Sequence, residues 1–166
     1  MIRGTAHTLD DFDRIRKPTI GMFDHLHYIA PGALEVLSFA SGNYATGLVT
    51  SRGETLVGLL EGFHIKAYFQ AIVGREDVGT RLKPDPKGIL IALERLGAKA
   101  NSAFYVGNDA NDMIAARRVG VIPVLYGQDP LALQYAKDHG ILRVETHYQF
   151  LEVLRAFKVT GTMDIL

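Results

Sequence analysis

Cysteine is absent from the 166 residues, so disulfides, thiolate metal sites and thiol nucleophiles are all excluded. Charge of one sign is missing too. Lys and Arg number 18 against 18 Asp and Glu, leaving no electrostatic argument for nucleic acid or an anionic membrane as partner. No apolar run approaches the ~18 residues that cross a bilayer. The opening stretch MIRGTAHTLDDF has no apolar core of the kind a secretory signal needs. Repeats and low-complexity segments are likewise lacking. These absences set the expectation of a soluble, cytoplasmic protein with no nucleic-acid or membrane partner. What is present is an apolar fraction of 48%, enough for one packed domain at this length.

Residues 1–30 are the least regular. TLDDFDRIRK reads as a helix capped by Thr8 or Asp10 and ended by Pro18. From residue 31 onward, short apolar strands alternate with helical stretches. PGALEVLSFAS, GETLVGLLEGF, PKGILIALERLG, NDMIAARRVG, PLALQYAKDHG and HYQFLEVLRAF have helical spacing. YATGLVTS, FQAIVG, SAFYVG, VIPVLYG and ILRVE read as strands. This order predicts an α/β fold, a mostly parallel Rossmann-like sheet with helices on both faces, over residues 31–166. Ligands of such sheets sit beyond the carboxyl ends of the strands, where helix N-termini also point.

Three strand ends carry residues able to do chemistry. In GLVTSRG, Thr50 and Ser51 place hydroxyls where the strand stops, as phosphate binding requires and as an ordinary N-cap also requires. In RLKPDP, Lys83 precedes a proline that fixes the chain, so its ammonium is either a placed charge for a phosphoryl group or a solvated surface lysine. In FYVGNDANDM, the oxygen side chains of Asn108, Asp109, Asn111 and Asp112 fall within five positions. An oxygen-only set suits a hard cation such as Mg²⁺, and exceeds what one helix cap needs. His7, His64, His139 and His147 have no metal-ligand spacing and are expected in structural or surface roles. Glu76 and Asp77 are expected in a solvated loop.

Together, a threonine after an apolar strand, then KPDP, then VGNDANDMIAARRVGV resemble the second, third and fourth motifs of the haloacid dehalogenase-like superfamily, in its phosphoglycolate phosphatase-like branch. PGALEVL and GREDVGTRLKPDP fit the same pattern, and the resemblance covers residues 31–157. It implies a Rossmann-like core with little or no cap and an Mg²⁺-dependent phosphohydrolase acting on a small phosphorylated metabolite. By the same resemblance Thr50 contacts the phosphoryl group, and Lys83 steadies that group and the nucleophile. Asp112 holds the metal directly or through water. The family has Asp where this chain has Asn108; an amide oxygen can coordinate Mg²⁺ but brings no charge, and Asp109 is its possible substitute.

The first family motif, a strand ending in Asp-x-Asp-Gly-Thr, is not found. Three readings stay open. Asp24 follows the passable strand TIGMF, but Leu26 stands at the acid/base position. Asp11 and Asp13 have the right mutual spacing without the strand or the Gly-Thr. Alternatively the chain starts after the motif, and residues 1–30 are the tail of a cap. A non-catalytic protein that binds phosphate or a partner protein is the rival expectation.

Overall fold

The alternation of elements yields only parallel strands, because every strand among the described residues is followed by a helix that carries the chain back. The computed structural model describes residues 28–160, with side chains to residue 158. The expected Thr8–Pro18 helix, and Asp11, Asp13, Asp24 and His7, lie outside the described residues. The strands are β1 (Gly47–Val49), β2 (Ala71–Val73), β3 (Phe104–Gly107), β4 (Ile122–Tyr126) and β5 (Leu142–Val144). The helices are α1 (Ala33–Asn43), α2 (Leu56–Gly62), α3 (Arg75–Val78), α4 (Lys87–Leu96), α5 (Ala110–Arg118), α6 (Pro130–Asp138) and α7 (His147–Thr160). Among the described residues, no helix is long and apolar enough to cross a membrane.

Side chains alternate across the sheet as strand geometry demands. Val124 and Phe104 point toward α1 and α7, joining Val36, Phe150, Leu151 and Leu154. Leu125 points to the opposite face, where Met113 of α5 and Ala132 and Ala136 of α6 cover it. Tyr105 joins Ile89, Ala115 and Ala116 on that same face. Helix α4 packs on β1 and β2, and Gly88 lets it approach β1: a Cβ there would come within 2.8 Å of Val49 Cγ1. The next residue, Ile89, packs with Tyr105 of β3. One turn of α4 therefore spans both β1 and β3.

Those two strands nevertheless do not pair. The ladder is split into β1–β2 and β3–β4–β5, each wholly parallel. Burial is inverted relative to a continuous sheet, whose middle strands are the deepest. Val73 of β2 and Val124 of β4 are 0% exposed, while Val106 of β3 is 39% exposed.

The stretch expected as a solvated loop at Glu76–Asp77 forms the short helix α3 instead. Asp77 accepts the Gly74 N–H at 2.8 Å and pairs with Arg95 of α4. The Arg95 hydrogen bond, followed by the Gly74 N–H, holds the Asp77 carboxyl below its ordinary value.

Candidate active site

The loop between α3 and α4 fixes Lys83 through its own turn. Asp85 N–H closes on Leu82 O at 2.9 Å, leaving Lys83 and Pro84 at the corner. Asp85 then accepts the Lys87 N–H at 2.9 Å, satisfying an otherwise orphaned donor at the start of α4. Arg81 Nε donates to the second Asp85 oxygen at 2.9 Å and is the main cause of that carboxyl's lowered pKa. From the end of α5, Arg118 donates to Pro84 O at 2.8 Å.

The partner of Lys83 stands at the other end of α5. Asp109 is the N-cap of that helix, accepting the Asp112 N–H at 3.0 Å. Asp112 folds back: Oδ2 accepts the N–H groups of Asn108 at 2.9 Å and Asp109 at 3.2 Å. This reciprocal capping box satisfies several donors at the helix start. Gly107 is required beside it, because a Cβ there would collide with the Asp112 side chain. Asp112 Oδ1 accepts from Lys83 Nζ and, at 3.4 Å, from the Tyr105 hydroxyl. The Asp112 side chain is 2% exposed and that of Lys83 24%, so the pair is largely out of water.

Burial opposes the charged lysine, but the Tyr105 oxygen and the Asp112 carboxylate outweigh it and hold the Lys83 pKa above its ordinary value. Burial also pushes the Tyr105 phenol up to about 12, against the pull of Lys83 and with help from Asp112. At neutral pH Lys83 is thus an ammonium and Tyr105 a neutral phenol.

Thr50 ends β1 at the same carboxyl edge of the strands. Its N–H continues the ladder to Val73 O at 3.0 Å, and its Oγ1 accepts the Arg52 N–H at 3.2 Å. Ser51 beside it is exposed. Of the positions read from sequence, Lys83, Asn108, Asp109 and Asp112 come together in one hydrogen-bonded knot, and Thr50 and Ser51 share its edge of the sheet. Tyr105 and Arg118 were not anticipated. The tyrosine looks like any strand residue in SAFYVG, and the arginine like any polar helix end.

The fit of a hard cation follows from the lone pairs. Both Asp112 oxygens are taken by protein donors, and one Asp109 oxygen caps α5. Among the described residues there is no group of three or more His, Cys, Asp and Glu able to hold a metal. Asn108 and one oxygen of Asp109 do not amount to an Mg²⁺ ligand set.

Residues 6–125 match the haloacid dehalogenase-like hydrolase family. The chain is 30% identical over 114 residues to phosphoglycolate phosphatase 1 of Pseudomonas aeruginosa, covering 68% of this chain and 39% of that protein. It is 37% identical over 75 residues to phosphoglycolate phosphatase of Escherichia coli K12, covering 45% of this chain and 29% of the relative. The chain thus spans two-fifths or less of the length of these relatives. Among solved structures, a hydrolase from Pseudomonas syringae superposes with TM-score 0.77 at 27% identity, covering 92% of this chain and 72% of that one. A HAD phosphatase from Thermococcus onnurineus shares the fold with TM-score 0.72 at 22% identity, covering 88% and 70%. By sequence match, parallel α/β architecture and motif order alike, the chain belongs to the haloacid dehalogenase-like hydrolase family.

Proposed function

We propose that this chain is a phosphohydrolase-like protein that binds the phosphoryl group of a small phosphorylated metabolite. The observation carrying this reading is the Lys83–Asp112 pair, largely withdrawn from water at the carboxyl edge of the strands that Thr50 shares. An ammonium anchored by a carboxylate offers its remaining donors in a fixed direction, and preorganised charge at a developing phosphoryl anion is worth more than mobile charge. Thr50 and Ser51 supply hydroxyls just past the end of β1. The similarity to phosphoglycolate phosphatases supports a phosphate monoester as substrate class.

Nothing among the described residues supplies the nucleophile or the general acid. Asp112 is committed to Lys83 and to two N–H groups, and Asp109 to its cap. Asp24 remains the proposed candidate nucleophile. Mg²⁺, if bound, would sit near Asp112 with Asn108 or Asp109 beside it, and weakly, because the described residues leave its ligand set incomplete. The rival reading, a non-catalytic binder of phosphate or a protein partner, draws on the same saturation of Asp112.

General acid–base assistance is commonly worth about 10²–10⁴-fold, so its lack should leave turnover far below that of a competent phosphatase. The test is Mg²⁺-dependent hydrolysis of p-nitrophenyl phosphate by the parent chain, Asp24→Asn, Asp11→Asn and Lys83→Ala. Little turnover is expected from all four. Robust turnover abolished by Asp24→Asn would install Asp24 as nucleophile. Robust turnover lost with Asp11→Asn would assign the role to that carboxylate instead.

A further inference from the structure

Helix α5 grips the Lys83 loop at two points. Near its start Asp112 takes the Lys83 ammonium, and at its last residue Arg118 Nη1 donates to Pro84 O at 2.8 Å. The two grips lie six residues apart on one helix, about 9 Å along its axis. They close on consecutive residues of the loop, one through a side chain and one through the backbone. The helix between them is firmly seated, with Met113, Ala115 and Ala116 all 0% exposed.

The Pro84 carbonyl has no donor close by in sequence. Pro86 has no N–H, and Lys87 gives its own to Asp85 Oδ1 at 2.9 Å. Arg118 fills that gap from across the loop. Its neighbour Arg117 turns the other way, donating to the Tyr135 hydroxyl of α6 at 3.0 Å. The two adjacent arginines thus serve different elements, and only one of them reaches the Lys83 loop.

We propose that Arg118 is a positioning residue for Lys83: by holding the Pro84 carbonyl it fixes the loop against α5, and so sets where the lysine ammonium points. Asp112 alone tethers only the tip of a flexible four-carbon stem, whose direction also depends on where its backbone is held. With the carbonyl released to water, the loop can shift while the ammonium stays paired, and the donors left for a phosphoryl group lose their fixed aim. Arg118 touches no phosphate itself. Its effect on phosphate affinity rests on the phosphoryl-binding reading of Lys83; its effect on the ammonium does not.

The test uses the full chain and three variants. Arg118→Met keeps the stem and loses the donors, Arg118→Lys returns a donor, and Arg117→Met removes the same charge one residue away. Lysine can replace arginine here because the contact is one N–H to one carbonyl rather than a bidentate fork. Two readouts are followed: the Lys83 Nζ resonance without ligand, and orthophosphate affinity from amide shifts at residues 50–52 and 83. Because Arg118 is exposed, its bond is worth little more than a typical one. Arg118→Met should therefore move the resonance and weaken phosphate about three- to tenfold. Arg118→Lys should return both toward the parent, and Arg117→Met should change neither. In a parent that binds phosphate, failure of either readout to change in Arg118→Met would overturn the proposal. So would an equal loss in Arg117→Met, which would make the effect one of long-range charge, or an Arg118→Lys no better than Arg118→Met. Unfolding of Arg118→Met alone would overturn it too, by assigning the arginine to stability. If the parent binds no phosphate at these residues, the phosphoryl-binding reading fails, and the Lys83 resonance decides on Arg118 by itself.

Discussion

Asp112→Asn is the substitution that isolates the Lys83–Asp112 pair. The amide is nearly isosteric with the carboxylate and keeps an oxygen toward the N–H groups of Asn108 and Asp109, which Asp112 accepts at 2.9 and 3.2 Å. What it removes is the negative charge facing Lys83, and that ammonium is 24% exposed and cannot simply rotate into bulk water. Removing one partner of a buried pair typically costs about 3–5 kcal/mol, because the other charge stays behind. For a chain of this size, 1 kcal/mol lowers Tm by about 2–4 °C, so a loss near 4 kcal/mol predicts a fall of roughly 8–16 °C. Lys83→Met should cost less, since the carboxylate it leaves still accepts from two N–H groups and the Tyr105 hydroxyl. The double variant should be more stable than the sum of the two losses implies, by at least about 1 kcal/mol. The assay is urea unfolding of the parent, both single variants and the double, read by far-UV circular dichroism. Losses that add within ~0.5 kcal/mol would refute the claim that these side chains act as one buried unit.

Tyr105→Phe should flatten the alkaline limb of the stability profile. With the folded pKa raised to about 12, the neutral phenol stabilises the fold fully below the ordinary phenol pKa of about 10, and that contribution is lost as pH rises through the folded value. A shift of this size corresponds to ~2–3 kcal/mol, and identical parent and variant profiles above pH ~10 would contradict it. Gly107→Ala should displace Asp112 and produce the same loss of Lys83 pairing as Asp112→Asn, seen as matching shifts of the Lys83 Nζ resonance; a well-folded variant with that resonance unmoved would refute the collision. Millimolar Mg²⁺ should shift the amides of Asn108 and Asp109 weakly; tight binding, or no perturbation anywhere in residues 107–112, would defeat the proposed placement.

Much of this arrangement was legible because it depends on local pattern. The run PKGILIALERLG ends at a glycine in the left-handed region, φ 61° at Gly97, so both the helix and its stop could be read directly. KPDP and NDAND announced themselves by crowding charge and amide groups beside strands. Helix α3 was not legible, because four residues between glycines carry no periodicity and Asp77 draws its support from Arg95, far along the chain. YATGLVTS read as a short strand, and it is shorter still: its tyrosine caps α1 and hydrogen-bonds Leu154 O at 2.9 Å, leaving only Gly47–Val49 in the ladder. The split between β1 and β3 was illegible for a deeper reason. Alternating strands and helices predict that strands run parallel but not which strands are neighbours.

The claim that Thr50, Ser51 and Lys83 converge on a phosphoryl group is tested most directly by titrating orthophosphate into the parent chain and Lys83→Ala, following amide shifts. Saturable shifts at residues 50–52 and 83 in the parent, with affinity at least tenfold weaker in the variant, are the predicted result. Equal affinity in the two proteins, or shifts confined to other surfaces, would contradict it.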